Sequence, residues 1–264
     1  MTIGEVYEIT HKEGCTVQGK LLDMWEDEEF EWFRFDILDN GGIDEHGNPD
    51  PNERYIVDYS QRKRPDYSGV EKNTNMPEMY AGKTLDDFKW NFYPGGAMDV
   101  RARVEQFMNN FDQYQKEGMG LFLSSNTKGS GKTLLACCIA NEIMQRFVMN
   151  TKFINMASYI QKTKEKDSDY FAYMDATVLV IDDFGVQDET KEWICEKVYD
   201  LINYRNSRGK MTIFTSNLRK DKCCAEDRTA SRVYEMAIEI KLPEISVRKA
   251  LADMRIKAFE ASLK

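Results

Sequence analysis

Residues 119–134, MGLFLSSNTKGSGKTL, decide how the chain is read. A short apolar run, a small polar loop and Gly-Lys-Thr opening a second apolar run spell strand, phosphate loop and helix. In the pattern G-x-x-x-x-G-K-[ST], backbone N–H groups wrap nucleotide phosphates, the lysine reaches the β- and γ-phosphates, and the hydroxyl ligates Mg²⁺. The loop is Asn126, Thr127, Lys128, Gly129, Ser130 and Gly131, followed by Lys132, Thr133 and Leu134. ATP and Mg²⁺ are the expected ligands, with Thr133 on the metal. Asn126 stands where the pattern has its first glycine. The expectation is that this position needs left-handed backbone, which Asn enters more readily than most residues.

Residues 176–183, ATVLVIDD, form a continuous apolar run ending in two acids. That is the form of a buried parallel strand whose C-terminal end faces a ligand. In a P-loop enzyme Asp182 holds Mg²⁺ and Asp183 orients or deprotonates the attacking water. Residues 211–217, MTIFTSN, read as another buried strand that delivers Asn217 to the γ-phosphate or the water. Helices are expected at 97–117, 132–147, 156–166 and 189–206, then one carrying Arg228 and Arg232 and a last one carrying Arg248, with strands at 152–155 and 238–242. This alternation implies an α/β fold, a mostly parallel sheet flanked by helices.

The chain has 264 residues and a formal net charge of −9, unevenly spread. Residues 1–70 hold 17 acidic and 7 basic residues, whereas the remainder holds 28 and 29. Composition thus proposes a small acidic domain at 1–70, a polar linker at 71–96 containing NTNMPEMYAGKT, and a nucleotide-binding domain at 97–264. The first region alternates in the β manner, in EVYEI, CTVQGKLLDMW, FEWFRFDIL and RYIVDY, around a turn-rich NGGIDEHGNPDPN. Its aromatics Trp25, Trp32, Phe33, Phe35 and Tyr55 are read as core. Its acidity repels nucleic acid and points to a protein partner.

Six cysteines contain no CxxC pair, and His11 and His46 lie far from any cysteine cluster, so no zinc site is expected. Cys137, Cys138 and Cys195 fall in helical patterns as small core residues, and Cys223 and Cys224 in a loop. No apolar run approaches the ~18 residues of a membrane helix and no signal pattern opens the chain; a cytoplasmic protein with no membrane partner is expected.

Taken in order, SNTKGSGKT, VLVIDDFG, TIFTSN, DRTASR and VRKA resemble the AAA+ ATPase core of the DnaC/DnaI-type replicative helicase loaders and the IstB-like transposition helper ATPases. The resemblance covers about residues 84–264. It implies that Asn217 is the sensor 1 residue, Arg232 an arginine finger reaching a neighbouring subunit's ATP, and Arg248 the sensor 2 arginine, with Arg228 placed to share the finger role. It implies further an ATPase that loads or remodels a replicative DNA helicase on single-stranded DNA, acting as a homo-oligomer through these arginines. A transposition helper and a non-hydrolysing nucleotide-gated adaptor are the alternatives. A small-molecule kinase would need a substrate-capping lid and has no use for Asn217 or the downstream arginines. Three features depart from the family: Asn126, Asp183 where Glu is usual, and a β-rich N-terminal region without zinc ligands. The short lid, a single helix, is loader-like.

Overall fold

In a computed structural model, residues 1–10, 16–27, 30–38, 42–43, 49–50, 55–62, 69, 74–165, 170–187 and 190–262 are described. The chain divides into two compact units, residues 1–64 and 65–264.

Period-2 patterning in the first unit produces an antiparallel sheet of order β1-β2-β3-β6, from Val6–Thr10 (β1), Thr16–Glu26 (β2), Phe30–Ile37 (β3) and Tyr55–Arg62 (β6). Two short strands, Gly42–Ile43 (β4) and Pro49–Asp50 (β5), pair within the turn-rich stretch, which otherwise lies outside the described residues. One face packs Leu21, Phe35 and Ile37 with Tyr7, Ile9, Phe33, Val57 and Tyr59. Trp25 and Trp32, expected in the core, are instead register partners outside that cluster, with stacked rings 6.1 Å apart. Alternation along β3 explains it: Phe33, Phe35 and Ile37 take one face, and Trp32 and Arg34 the other. There Arg34 lies over Trp25 and donates to Asp58 across the β3–β6 pair.

The second unit is built on a parallel sheet of five strands in the order β11-β7-β10-β9-β8. Its strands are Gly120–Ser124 (β7), Thr151–Asn155 (β8), Val178–Asp182 (β9), Met211–Ser216 (β10) and Ala237–Lys241 (β11). Every residue of β7, β9 and β10 is buried, as continuous apolar runs require when helices cover both faces. Side chains separate by parity. Leu121, Leu123, Val178, Val180 and Ile213 pack on one side, while Phe122, Leu179, Ile181 and Phe214 pack on the other.

The first side is covered by Met98–Asn109 (α1), Phe111–Lys116 (α2) and Lys132–Phe147 (α3). The single helix expected over 97–117 is thus two, parted at Asn110, which leaves helical geometry with φ −110° and ψ 22°. The other side is covered by Met156–Lys164 (α4), Tyr170–Asp175 (α5), Glu192–Ser207 (α6) and Asp227–Met236 (α7). The last helix is Val247–Ser262 (α8). Cys137 and Cys138 are buried in α3, Cys195 is half-buried, and Cys223 is buried in the loop before α7. Among the described residues, no helix is long and apolar enough to cross a membrane.

The linker expected at 71–96 is corrected. Residues 71–73 lie outside the described residues, but 74–96 form a packed collar of short 3-10 turns belonging to the second unit. Phe88 and Tyr93 are buried in its core. Asn141 of α3 donates to the Tyr80 and Lys83 carbonyls at 2.8 Å each, and the Leu85 N–H donates to Glu142 at 2.9 Å. Thr74 accepts from the Phe153 N–H at 2.7 Å, extending the bonds of β8. The prolines and glycines read as linker because they break helices and strands; the collar uses them as turns and holds itself with side chains of α3.

Candidate nucleotide site

The phosphate loop leaves the C-terminal end of β7 and enters α3 through Gly131, with φ +88°. A Cβ on Gly131 would meet the Tyr93 hydroxyl at 2.5 Å. That hydroxyl donates to the Ser130 carbonyl at 2.6 Å, so the collar supports the loop from beneath. Lys132 folds back across the loop, its Nζ donating to the Ser125 and Thr127 carbonyls at 3.1 Å and to Ser130 Oγ at 3.2 Å. Burial pulls its pKa down, against the charges of Asp183, Glu244 and Asp182. A buried ammonium held by neutral oxygens and facing three carboxylates is poised to exchange those carbonyls for phosphate oxygens. The first turn of α3 also presents N–H groups that have no partner within the helix, an anion site by construction. Leu134, in that turn, is half-buried against the core, and Lys128 is exposed.

The expectation for Asn126 is overturned in its reason. Positive φ outside glycine occurs, among the described residues, at Asn75, Ala97, Val148 and Asp183. Asn126 therefore adopts backbone open to any residue. Its N–H donates at 3.0 Å to Glu244, in the turn between β11 and α8. Glycine is demanded elsewhere: Gly129 has φ +78°, and a Cβ there would lie 2.9 Å from that of Arg248.

Asp182 ends β9 and is buried. Its Oδ1 accepts from Thr133 Oγ1 at 2.8 Å and from Thr215 Oγ1 at 2.6 Å. Burial raises its pKa, and the two hydroxyl bonds work against that rise. Threonine and aspartate oxygens at this contact are the hard donor set that Mg²⁺ takes, alongside substrate phosphates and water. Asp183 follows with φ +53°, its N–H donating to Thr215 Oγ1 at 3.0 Å and its Oδ2 accepting from Asn155 Nδ2 at 3.4 Å. Asp is one of the few residues that enter this region readily, and the turn swings its carboxylate out of the strand line. Thr215 and Asn155 were not picked out from the sequence; each sits at or one residue before the C-terminal end of a parallel strand, where ligand contacts concentrate.

The strand order brings the remaining residues together. β10 lies between β7, which carries the loop, and β9, which carries the acids. Asn217, the residue after β10, thereby follows a strand whose two neighbours lead to the loop and to the acids. The Arg248 N–H donates to the Gly129 carbonyl at 3.1 Å, while its side chain is exposed. Arg228 and Arg232 are one turn apart on α7 and are held elsewhere. Arg228 pairs with Glu226 and lies over Tyr199, and Arg232 pairs with Glu235 at 3.0 Å. A cavity of 550 Å³ lies between the collar and the turn that carries Glu244, lined by Pro94, Gly95, Ala97, Lys241, Leu242 and Glu244 among others.

Residues 55–225 match the profile of the IstB-like ATP binding proteins. The chain belongs to that family. This IstB-like protein has the P-loop AAA+ fold, as three solved structures attest. The DnaC helicase loader is 24% identical, with a TM-score of 0.53 over 63% of this chain and 100% of that one. DnaI is 21% identical, with a TM-score of 0.53 over 65% and 96%. A protein from Streptococcus pyogenes, described as a primosome component, is 21% identical, with a TM-score of 0.55 over 68% and 97%. At these identities the likeness is one of fold. No curated protein matches the IstB-like chain.

Proposed function

We propose that the chain is an ATP-hydrolysing AAA+ ATPase that loads or remodels a replicative DNA helicase on single-stranded DNA. The observation that supports the hydrolytic part is the position of β10 between β7 and β9, which makes neighbours of the strand ends that lead to the loop, to Asn217 and to Asp183. In this reading the loop N–H groups and Lys132 hold the phosphates, and the cavity beside Glu244 takes the nucleoside. Thr133 and Asp182 would hold Mg²⁺, which supplies charge neutralisation at the β- and γ-phosphates. Asp183 accepts a proton from the attacking water, and Asn217 orients that water or the γ-phosphate. Arg232, with Arg228 beside it, serves a neighbouring subunit's site, since its contacts on α7 are to Glu235 and not to its own loop. Arg248 reads the phosphates from α8.

The helicase and DNA parts rest on the fold shared with the DnaC loader and DnaI. The family match equally supports a transposition helper, the second reading. The short carboxylate of Asp183 favours slow turnover, and a non-hydrolysing adaptor is the limit of that trend. Phosphate release measured with and without single-stranded DNA tests the hydrolytic reading. ATP binding with no turnover under either condition would leave the adaptor. A pull-down from the native host with Lys132→Ala as bait separates a helicase from a transposase, and recovery of a transposase would overturn the loader.

A further inference from the structure

Glu244 is a lone acid in the turn between β11 and α8, and no motif marks it. Its carboxylate nevertheless gathers the first half of the phosphate loop. Oε1 accepts from the Asn126 N–H at 3.0 Å, and Oε2 accepts from Thr127 Oγ1 at 2.8 Å and Ser125 Oγ at 3.1 Å. Two backbone bonds flank this cluster. The Leu242 N–H donates to the Ser124 carbonyl at 2.8 Å, and the Arg248 N–H donates to the Gly129 carbonyl at 3.1 Å. Residues 242–248 thus run from the last residue of β7 to the middle glycine of the loop, fastened at both ends by backbone and between them by one side chain. Gly129 makes the last approach possible, for its α-carbon lies against Ser246 and Arg248.

We propose that Glu244 is a positioning residue that couples the phosphate loop to α8, so that nucleotide in the loop sets where Arg248 stands. The proposal deepens the ATPase reading and rests on it. A carboxylate has acceptor capacity for several donors at once, and charge-assisted bonds are the strong ones. Burial opposes the ionisation of Glu244, but the bonds from Asn126, Thr127 and Ser125 outweigh it and hold the carboxyl below its usual range. The link therefore stays charged at neutral pH. The donors it takes belong to residues 125–127, leaving the second half of the loop, from Gly129 to Thr133, for phosphate. Phosphate and α8 then pull on opposite halves of the same loop. A shift of the loop on binding then moves α8 through the Glu244 side-chain bonds as well as through the Arg248–Gly129 backbone bond.

Hydrogen–deuterium exchange of residues 247–262 in the full chain, with and without ADP or Mg·ATP, reads the coupling. In the wild type, nucleotide slows exchange in α8. In Glu244→Ala, ADP still binds through Lys132 and the second half of the loop, with affinity about three- to tenfold lower from lost preorganisation, and the response of α8 is reduced to what the Arg248–Gly129 backbone bond alone transmits. Glu244→Gln keeps one acceptor for the Asn126 N–H and recovers part of the response. If Glu244→Ala is poorly folded by circular dichroism, Ser125→Ala/Thr127→Val removes the two hydroxyl donors from the loop side and must weaken the response in the same way. A nucleotide-dependent slowing in Glu244→Ala equal to the wild type overturns the proposal. Absence of ADP and ATP binding by the wild type in the same titration overturns the ATPase reading instead.

Discussion

The Thr133 hydroxyl donates to the Asp182 carboxylate at 2.8 Å, joining residues 49 positions apart at the mouth of two parallel strands. Thr215 holds the same oxygen from the other side at 2.6 Å and also receives the Asp183 N–H. One threonine of β10 therefore fixes both acids, and Thr133 and Asp182, which would hold Mg²⁺, are oriented in advance. Thr215→Val should keep the fold, since the two side chains are near-isosteric, but leave Asp182 with one hydroxyl fewer and Asp183 less fixed. The expected outcome is weaker Mg²⁺-dependent ATP binding, by about tenfold, with metal-free ADP binding less affected. Equal losses with and without Mg²⁺ would count against this role.

Lys132→Ala should abolish ATP binding while leaving the fold intact. The lysine is held by loop carbonyls and a serine hydroxyl, so its removal costs the loop three bonds and removes no member of the apolar core clusters. Circular dichroism with nucleotide titration is the check, and wild-type affinity would remove the phosphate-loop assignment.

Asp183 offers a test that separates chemistry from backbone. Asp183→Asn keeps a side chain suited to φ +53° and should trap ATP without turnover. Asp183→Ala and Asp183→Gly should be equally inactive, yet Ala should be less stable than Gly by about 1 kcal/mol, because only Ala carries a Cβ into the left-handed region. Thermal unfolding compares the pair. Wild-type hydrolysis by Asp183→Asn would show that another group takes the proton.

Arg232→Ala should leave ATP binding by the single chain unchanged and remove hydrolysis stimulated by assembly or DNA. Its present partner, Glu235, is a half-exposed ion pair of small worth, which a neighbour's phosphate can displace. Mixing Arg232→Ala with Lys132→Ala protein should recover activity at mixed interfaces. No recovery at any ratio argues against action between subunits.

The parts of this site that were legible in sequence are those where one residue type answers one physical demand. Strands β7, β9 and β10 are buried on both faces and so are apolar throughout, and the glycines and Lys132 serve a loop that wraps phosphate. The collar was not legible, because Pro94, Gly95 and Gly96 signal turns whether a segment is loose or packed, and only Asn141 and Glu142 reveal which. Glu244 and Thr215 were missed for a related reason. Each is an ordinary residue whose meaning comes from partners more than 30 positions away, and no local pattern records such a pairing. Trp25 and Trp32 were misassigned because aromatic content marks a strand without saying which face it turns to the core.

Arg205 shows how the fold protects that arrangement of strands. It is fully buried, and its guanidinium donates to Thr212 Oγ1 and to the carbonyls of Tyr173, Met174, Ala176 and Met211. It thus ties α6 to the end of α5 and to the start of β10. Arg205→Met fills similar volume but leaves those acceptors unpaired, and should cost about 3–5 kcal/mol. Arg205→Lys should recover little, since an ammonium cannot span a cage built for a planar fork. Chemical denaturation measures both, and a loss under about 1 kcal/mol for Met would mean that water satisfies the cage.

The first unit, residues 1–64, should dock a protein and not touch DNA. DNA affinity comes mainly from neutralising phosphates with Lys and Arg, and residues 1–70 carry ten more acidic than basic residues. The face bearing Trp25 and Trp32 fits that reading. The two rings lie parallel, and Arg34 over Trp25 is bonded to Asp58, so one face of Trp25 that a base would need is already met by a paired cation. A chain beginning at Thr74 keeps the collar that supports the phosphate loop. It should bind single-stranded DNA at least as well as the full chain, with a similar salt dependence, and lose its protein partner in a pull-down. Cutting instead at Ala97 would remove Phe88 and Tyr93 from beneath Ser130 and Gly131, and should cost nucleotide binding as well. Loss of DNA binding in the chain that begins at Thr74, together with quenching of tryptophan fluorescence when DNA is added to the full chain, would make Trp25 and Trp32 a base-stacking platform and overturn the protein-docking assignment.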